Sequence, residues 1–155
     1  MQDLKSDNDA SAQLLQHLIA NADDGQVTFY GAGRVKVTRL IAKEMPAICW
    51  EHVSDNIFTQ RVIVCAALRY PDLGIVIPGA RHYSPDIKRL LDRLQELGVM
   101  PPKKQQVTGD NQGFVDNFGN YWNREQSFII ATHAGQLAGK DKCGSEKELY
   151  SEDLY

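Results

Sequence analysis

Apolar residues in this chain fall in short runs separated by turn-forming residues, and the period of the runs changes where the element type should change. Residues 11–22 place Leu14, Leu15, Leu18 and Ile19 on one face of a short helix, which "DDG" at 23–25 stops. "QVTFY" (26–30) and "AICWEHV" (47–53) read as strands, whereas "RVKVTRLIAKEM" (34–45) fits helix and strand equally. "RVIVCAAL" (61–68) is a continuous apolar run rich in β-branched residues, the mark of a central strand. "RYPDLG" turns the chain, and "GIVIP" (74–78) returns as its hairpin partner.

The clearest helical pattern is "YSPDIKRLLDRLQELG". Ser84 suits the N-cap, Pro85 the first helical position and Asp86 the positive end of the helix dipole. Ile87, Leu90, Leu91, Leu94 and Leu97 are expected on one face, and Gly98 closes the helix. "PPKKQQVTGDNQ" (101–112) is a polar loop. "GFVD" and "NYW" then form a hairpin around "NFG", and Asn123 caps a second helix with Gln126 as its capping-box partner. Phe128, Ile129, Ala131 and Thr132 carry that helix to Gly135, and "LYSEDLY" is a tail with apolar anchors. The sum is an α+β fold, a small antiparallel sheet with helices packed against it.

Composition changes this picture little. At 155 residues, with 43% hydrophobic and 24% charged residues, the chain is long enough for one domain, or one domain and an extension, with a real core. A net charge of −3 disfavours a nucleic acid polymer or an anionic membrane as partner. No apolar run reaches membrane-span length, and "MQDLKSDNDASAQ" lacks signal-peptide character, so a cytoplasmic location is expected. Cys49, Cys65 and Cys143 are widely spaced and odd in number, which points to no disulfide framework, zinc site or other metal site.

Candidate chemistry gathers in three places. Arg81 and His82 precede a helix N-terminus, whose free N–H groups favour an anion and where a guanidinium suits phosphate oxygens. The competing reading is a solvated loop. Arg124 opens the second helix, although a cation there opposes the dipole, beside Phe114, Phe118, Tyr121 and Trp122. Those rings could stack on a base, yet hairpin alternation turns some of them into core. Arg69, at a strand end, either aims at the crevice of Arg81 or caps a surface turn. "YGAGRV" is no dinucleotide fingerprint, and neither a P-loop, G-x-S-x-G nor H-E-x-x-H occurs. His17, His52, His82 and His133 have no ligand spacing, so the pattern suggests binding, without a cofactor, rather than catalysis.

"CAALRYPDLGIVIPGARHYSPDI", "QGFVDNFGNYWNREQSFIIATHAGQL" and "LYSEDLY", in that order, resemble a family of small phage proteins that includes Thoeris anti-defence sponges. The likeness lies in the A-A-L-R strand, the G-A-R-H turn and the GFV hairpin-helix, with Gln126 and Ser127 standing where the family favours glutamate and alanine. It spans residues 60–155 as a ligand-binding core domain and leaves 1–59 as an N-terminal extension packed with it. It implies a non-catalytic protein of the bacterial host cytoplasm that sequesters a cyclic ADP-ribose isomer without cleaving it, with cyclic oligonucleotides as further ligands. In those terms Phe114 stacks on the base, Arg81 and Arg124 hold the pyrophosphate with Arg69 and His82 nearby, and Asn123 and Asp116 serve polar edges. Tyr150 and Ser151 line the pocket between subunits of a homo-oligomer, a dimer or hexamer. Two rivals remain: a nucleotide-directed hydrolase or lyase using His82 as acid or base, and a phage interaction protein docking through the aromatic hairpin.

Overall fold

The computed structural model describes residues 28–30, 36–37, 46–54, 57–101 and 106–155; the helix expected over 11–22 and most of 34–45 lie outside them. Two four-stranded sheets form an α+β fold. The first comprises β1 (Thr28–Tyr30), β2 (Lys36–Val37), β3 (Trp50–Ser54) and β4 (Ile57–Gln60) in the order β2-β1-β4-β3. Its β1–β4 pair is parallel, a non-local pairing that no hairpin signal announces. Ala47–Cys49, expected within a strand, is a single 3-10 turn leading into β3.

The second sheet is antiparallel throughout, with β5 (Ile63–Tyr70), β6 (Ile75–Gly79), β7 (Gln112–Asp116) and β8 (Tyr121–Asn123) in the order β6-β5-β7-β8. β5 is internal, and Ala66, Ala67 and Leu68 are all fully buried, as a continuous apolar run requires. The turn to β6 works because Gly74 takes φ 64°, a left-handed conformation that costs glycine little.

Register fixes which side chains share a face. Ala66 lies opposite Phe114, and Phe114 opposite Trp122. These three pack with Ile63 against Ile130 and Ala131 of α2 (Arg124–His133) and against Leu149. Further along the same face, Leu68, Tyr70 and Ile77 pack against Ile87 and Leu91 of α1 (Pro85–Glu96) and Met100. Leu90 and Leu97, expected in the buried stripe of α1, are 44% and 59% exposed instead. They sit about 60° and 80° to one side of Ile87 at 100° per residue, beyond the strip that touches the sheet.

α2 begins with the expected capping box: Asn123 Oδ1 accepts from Gln126 N at 2.9 Å, and Gln126 Oε1 accepts from Asn123 N at 3.1 Å. Ser84 occupies the N-cap of α1 without a side-chain capping bond. The final turn α3 (Ser151–Leu154) is tied down through Asp153, which accepts from Tyr150 N, Cys143 N and Lys142 Nζ at 2.7–2.8 Å. Burial works against that carboxylate's charge, but these donors outweigh it and hold its pKa below the usual value.

Arg61, between β4 and β5, joins the sheets. It is 2% exposed, donates from Nη1 to Asp116 Oδ2 at 2.7 Å and from Nη2 to Glu51 of β3, and lies over the Trp122 ring at 4.9 Å. Gln136 completes the junction: it accepts from Ile63 N at 2.8 Å and donates to Ile63 O at 2.7 Å, serving as a strand partner where β5 begins. Among the described residues no helix is long and apolar enough to cross a membrane.

Candidate functional site

The starts of α1 and α2 and the C-terminal turn meet at one end of the second sheet. Arg124, first residue of α2, donates from Nη2 to Gln112 Oε1 at 2.7 Å, and its guanidinium carbon stands 4.5 Å from the Tyr150 ring centroid. Its Nε is buried without a hydrogen-bond partner among the described residues. Lys142 Nζ approaches the same ring at 4.9 Å, but Asp153 neutralises it. Arg124 has no carboxylate in salt-bridge range among the described residues; its polar partner is a neutral amide. The backbone reinforces the arrangement, since Leu149 N donates to Arg124 O at 3.0 Å and so brings Tyr150 to the helix start.

His82, in the turn before α1, donates from Nε2 to Gly113 O at 2.8 Å and meets Phe114 edge-on, with centroids 5.2 Å apart at 81°. Burial lowers its pKa below the ordinary 6.5 and the Arg124 charge lowers it further, while the Gly113 bond and Glu152 pull upward. The neighbouring Tyr83 has φ 57°, a left-handed conformation unusual for a tyrosine. Arg81 is about half exposed, and its Nη1 lies 3.8 Å from Glu152 Oε1. Ser151 is buried, its Oγ donating to Glu152 Oε2 at 3.1 Å.

Several expected roles change in this geometry. Phe114 is fully buried within the helix-covered face, so in this chain its ring is core and offers no face for a base. Asp116 is a structural hub rather than an open edge: besides Arg61 it accepts from Trp122 Nε1, Phe118 N and Asn120 N at 2.8–2.9 Å, which closes the β7–β8 turn. Asn123 spends its amide on capping and on Asp110 Oδ1, 3.1 Å from Nδ2.

Arg69 faces away from Phe114. It shares the parity of Ala67 on β5, whereas Ala66 and Phe114 point to the opposite side of the sheet. It donates to Asn111 Oδ1 at 3.1 Å and Asp110 O at 3.4 Å, and stacks on Tyr121 with 4.7 Å to the ring centroid. Tyr121 in turn lies across Gly113, where a Cβ would fall 2.6 Å from its hydroxyl, so only glycine fits there. Burial pushes the Tyr121 hydroxyl pKa up, keeping it neutral.

The structure therefore brings together Arg81, His82, Arg124, Tyr150 and Ser151; Arg69 and Asp116 point elsewhere, and Phe114 meets His82 from within the core without reaching the surface. Glu152 and Gln112 join the group without having been singled out from sequence, and neither carries a local signal that would have marked it. Among the described residues no cluster of three or more His, Cys, Asp or Glu side chains is placed to hold a metal ion.

The profile of the Phage T4 y16D protein family matches residues 62–155, which include every residue of this cluster. The chain belongs to that phage protein family. No curated protein and no solved structure matches it. The part shared with the Phage T4 y16D protein family begins one residue after Arg61 and takes in the whole second sheet, α1, α2 and α3.

Proposed function

We propose that this protein is a non-catalytic sponge that binds a cyclic nucleotide immune signal, a cyclic ADP-ribose isomer, in the cytoplasm of the phage's bacterial host. One observation carries the reading: a half-buried arginine, Arg124, at the N-terminus of α2, with a tyrosine beneath it and, among the described residues, no counter-ion and no partner for its Nε. The helix dipole already makes that end positive, so an unpaired cation there is unfavourable for the fold alone and favourable for an anion. Arg81 supplies a second guanidinium, loosely paired with the solvent-screened carboxylate of Glu152. Phosphate oxygens suit both.

With Phe114 in the core, Tyr150 is the aromatic surface for the adenine or ribose edge, and His82 adds a polar contact at the rim. The cluster is open on a single chain, and a symmetric second copy closing over it would exclude water and slow release, which is what a sponge requires.

Calorimetry and native mass spectrometry with cyclic ADP-ribose isomers test the reading. The expected result is tight binding with ligand recovered intact after heat denaturation. No binding to any isomer would sink it, and a degraded ligand would move the chain to the hydrolase or lyase class with His82 as acid or base.

A further inference from the structure

Arg124 is held by a chain of polar contacts that starts at the strained turn beside His82. Tyr83 Oη accepts from Val107 N at 2.7 Å and donates to Val107 O at 3.0 Å, clasping the two peptide groups that flank one residue. Val107 O also accepts from Gln112 Nε2 at 2.7 Å, and the other end of that amide, Oε1, accepts from Arg124 Nη2 at 2.7 Å. The left-handed φ of 57° at Tyr83 is the kind of strain that persists only where surrounding contacts fix it. Here the clasp on Val107 is such a contact.

We propose that Gln112 is the positioning residue for Arg124 and that Tyr83, through Val107, positions Gln112. The chemistry of the amide is the argument. A carboxylate at 112 would orient the guanidinium equally well but would neutralise it. It would also lose the N–H that anchors the side chain to Val107. A neutral carboxamide does two things at once: it donates at one end to a fixed carbonyl, and at the other it accepts from Arg124 while leaving the positive charge available. Arginine has many rotamers, so fixing it before an anion arrives removes an ordering cost from binding. The relay also keeps the His82 turn and the α2 start in register.

This inference rests on the anion-binding reading of Arg124 for its effect on affinity, but its structural core is measurable in the free protein. Two readouts are combined: calorimetry with inorganic pyrophosphate, and the 15N NMR resonance of Arg124 Nε–H without ligand. Gln112→Ala should weaken pyrophosphate binding roughly three- to tenfold, the size expected for one newly mobile long side chain. Gln112→Glu should weaken it more than Gln112→Ala. Tyr83→Phe should weaken it in the same direction, and the double variant Tyr83→Phe/Gln112→Ala should be no worse than Gln112→Ala, because both act through one chain of contacts. In Gln112→Ala and in Tyr83→Phe the Arg124 resonance should shift while the melting temperature stays near that of the parent. An unmoved Arg124 resonance in Gln112→Ala, with unchanged pyrophosphate affinity, overturns the relay. A parent protein that fails to bind pyrophosphate while the resonance still moves overturns the anion-binding reading and leaves the relay supported.

Discussion

Arg81 and Glu152 approach each other to 3.8 Å across the gap between the start of α1 and the terminal turn α3, both about half exposed. Glu152 thus stands where an incoming phosphate would compete for the same guanidinium, and its negative charge also reaches His82. Glu152→Gln should tighten binding of an anionic nucleotide, by about threefold to tenfold for one removed like charge near the surface. The same change should lower the His82 pKa further, because Glu152 now pulls it upward. Calorimetry and an NMR titration of His82 check the two halves, and unchanged affinity would mean that the ligand does not approach Arg81.

Arg124→Ala should cost binding roughly a hundredfold or more, since a desolvated charge pair is commonly worth a few kcal/mol. Stability should stay within about 1 kcal/mol of the parent, because the lost stack on Tyr150 is offset by removing a cation from the positive end of a helix. Arg124→Lys should restore little, as a point charge cannot both lie flat on the ring and bridge to Gln112. A variant that lost binding only by unfolding would show itself in a thermal melt.

Asp116→Ala should be among the most damaging single changes to the fold. It leaves the buried Arg61 guanidinium with Glu51 as its one remaining carboxylate among the described residues and removes the acceptor that closes the β7–β8 turn. Breaking one side of a buried pair typically costs about 3–5 kcal/mol, which for a chain this size lowers the melting temperature by roughly 10 °C. Urea denaturation gives the value directly. A loss below about 1 kcal/mol would show the pair to be solvated in solution.

Acid should weaken the fold in two separable stages. His82 has a folded pKa below 6.5, so the unfolded chain binds more protons as pH falls from 6.5 toward the folded value, and stability drops across that window. His82→Gln should flatten the stability profile in the window that opens just below pH 6.5. A second loss belongs to Asp153, whose pKa is held below 3.8; its contribution is complete above that value and disappears below it. Melting temperatures across pH 3–8 (about one point per half unit) resolve both stages.

The second sheet was largely legible because its signals are local. The apolar run of β5, the turn at Gly74, the α1 start at Ser84 and the Asn123–Gln126 capping box each depend on residues a few positions apart. What failed was the choice of face. Alternation says that Phe114 and Val115 point opposite ways, but only the positions of α1 and α2 decide which side is core, and they placed Phe114 inside. In the same way, Leu90 and Leu97 are as apolar as Ile87 yet fall outside the strip of α1 that touches the sheet.

Long-range partners were invisible for a related reason. Asp116 reads as a polar edge until Arg61, 55 residues earlier, is found beside it. Arg61 itself carried a signal that could have been weighed, a charge at the mouth of a seven-residue apolar run. Arg81 with His82, and Arg124, were readable separately from residue type and neighbourhood; only the family resemblance grouped them and added Tyr150. Gln112 and Glu152 were not, because an ordinary polar residue in a strand or a terminal turn has no pattern to betray its partner.

The guanidinium of Arg61, shared between Glu51 of one sheet and Asp116 of the other, couples the two layers. Separating the leaves would break one of the two ion pairs that this guanidinium makes, so each leaf loses a partner by standing alone. The molecule should melt in one cooperative step, with β3 fastened to the second sheet through this one side chain.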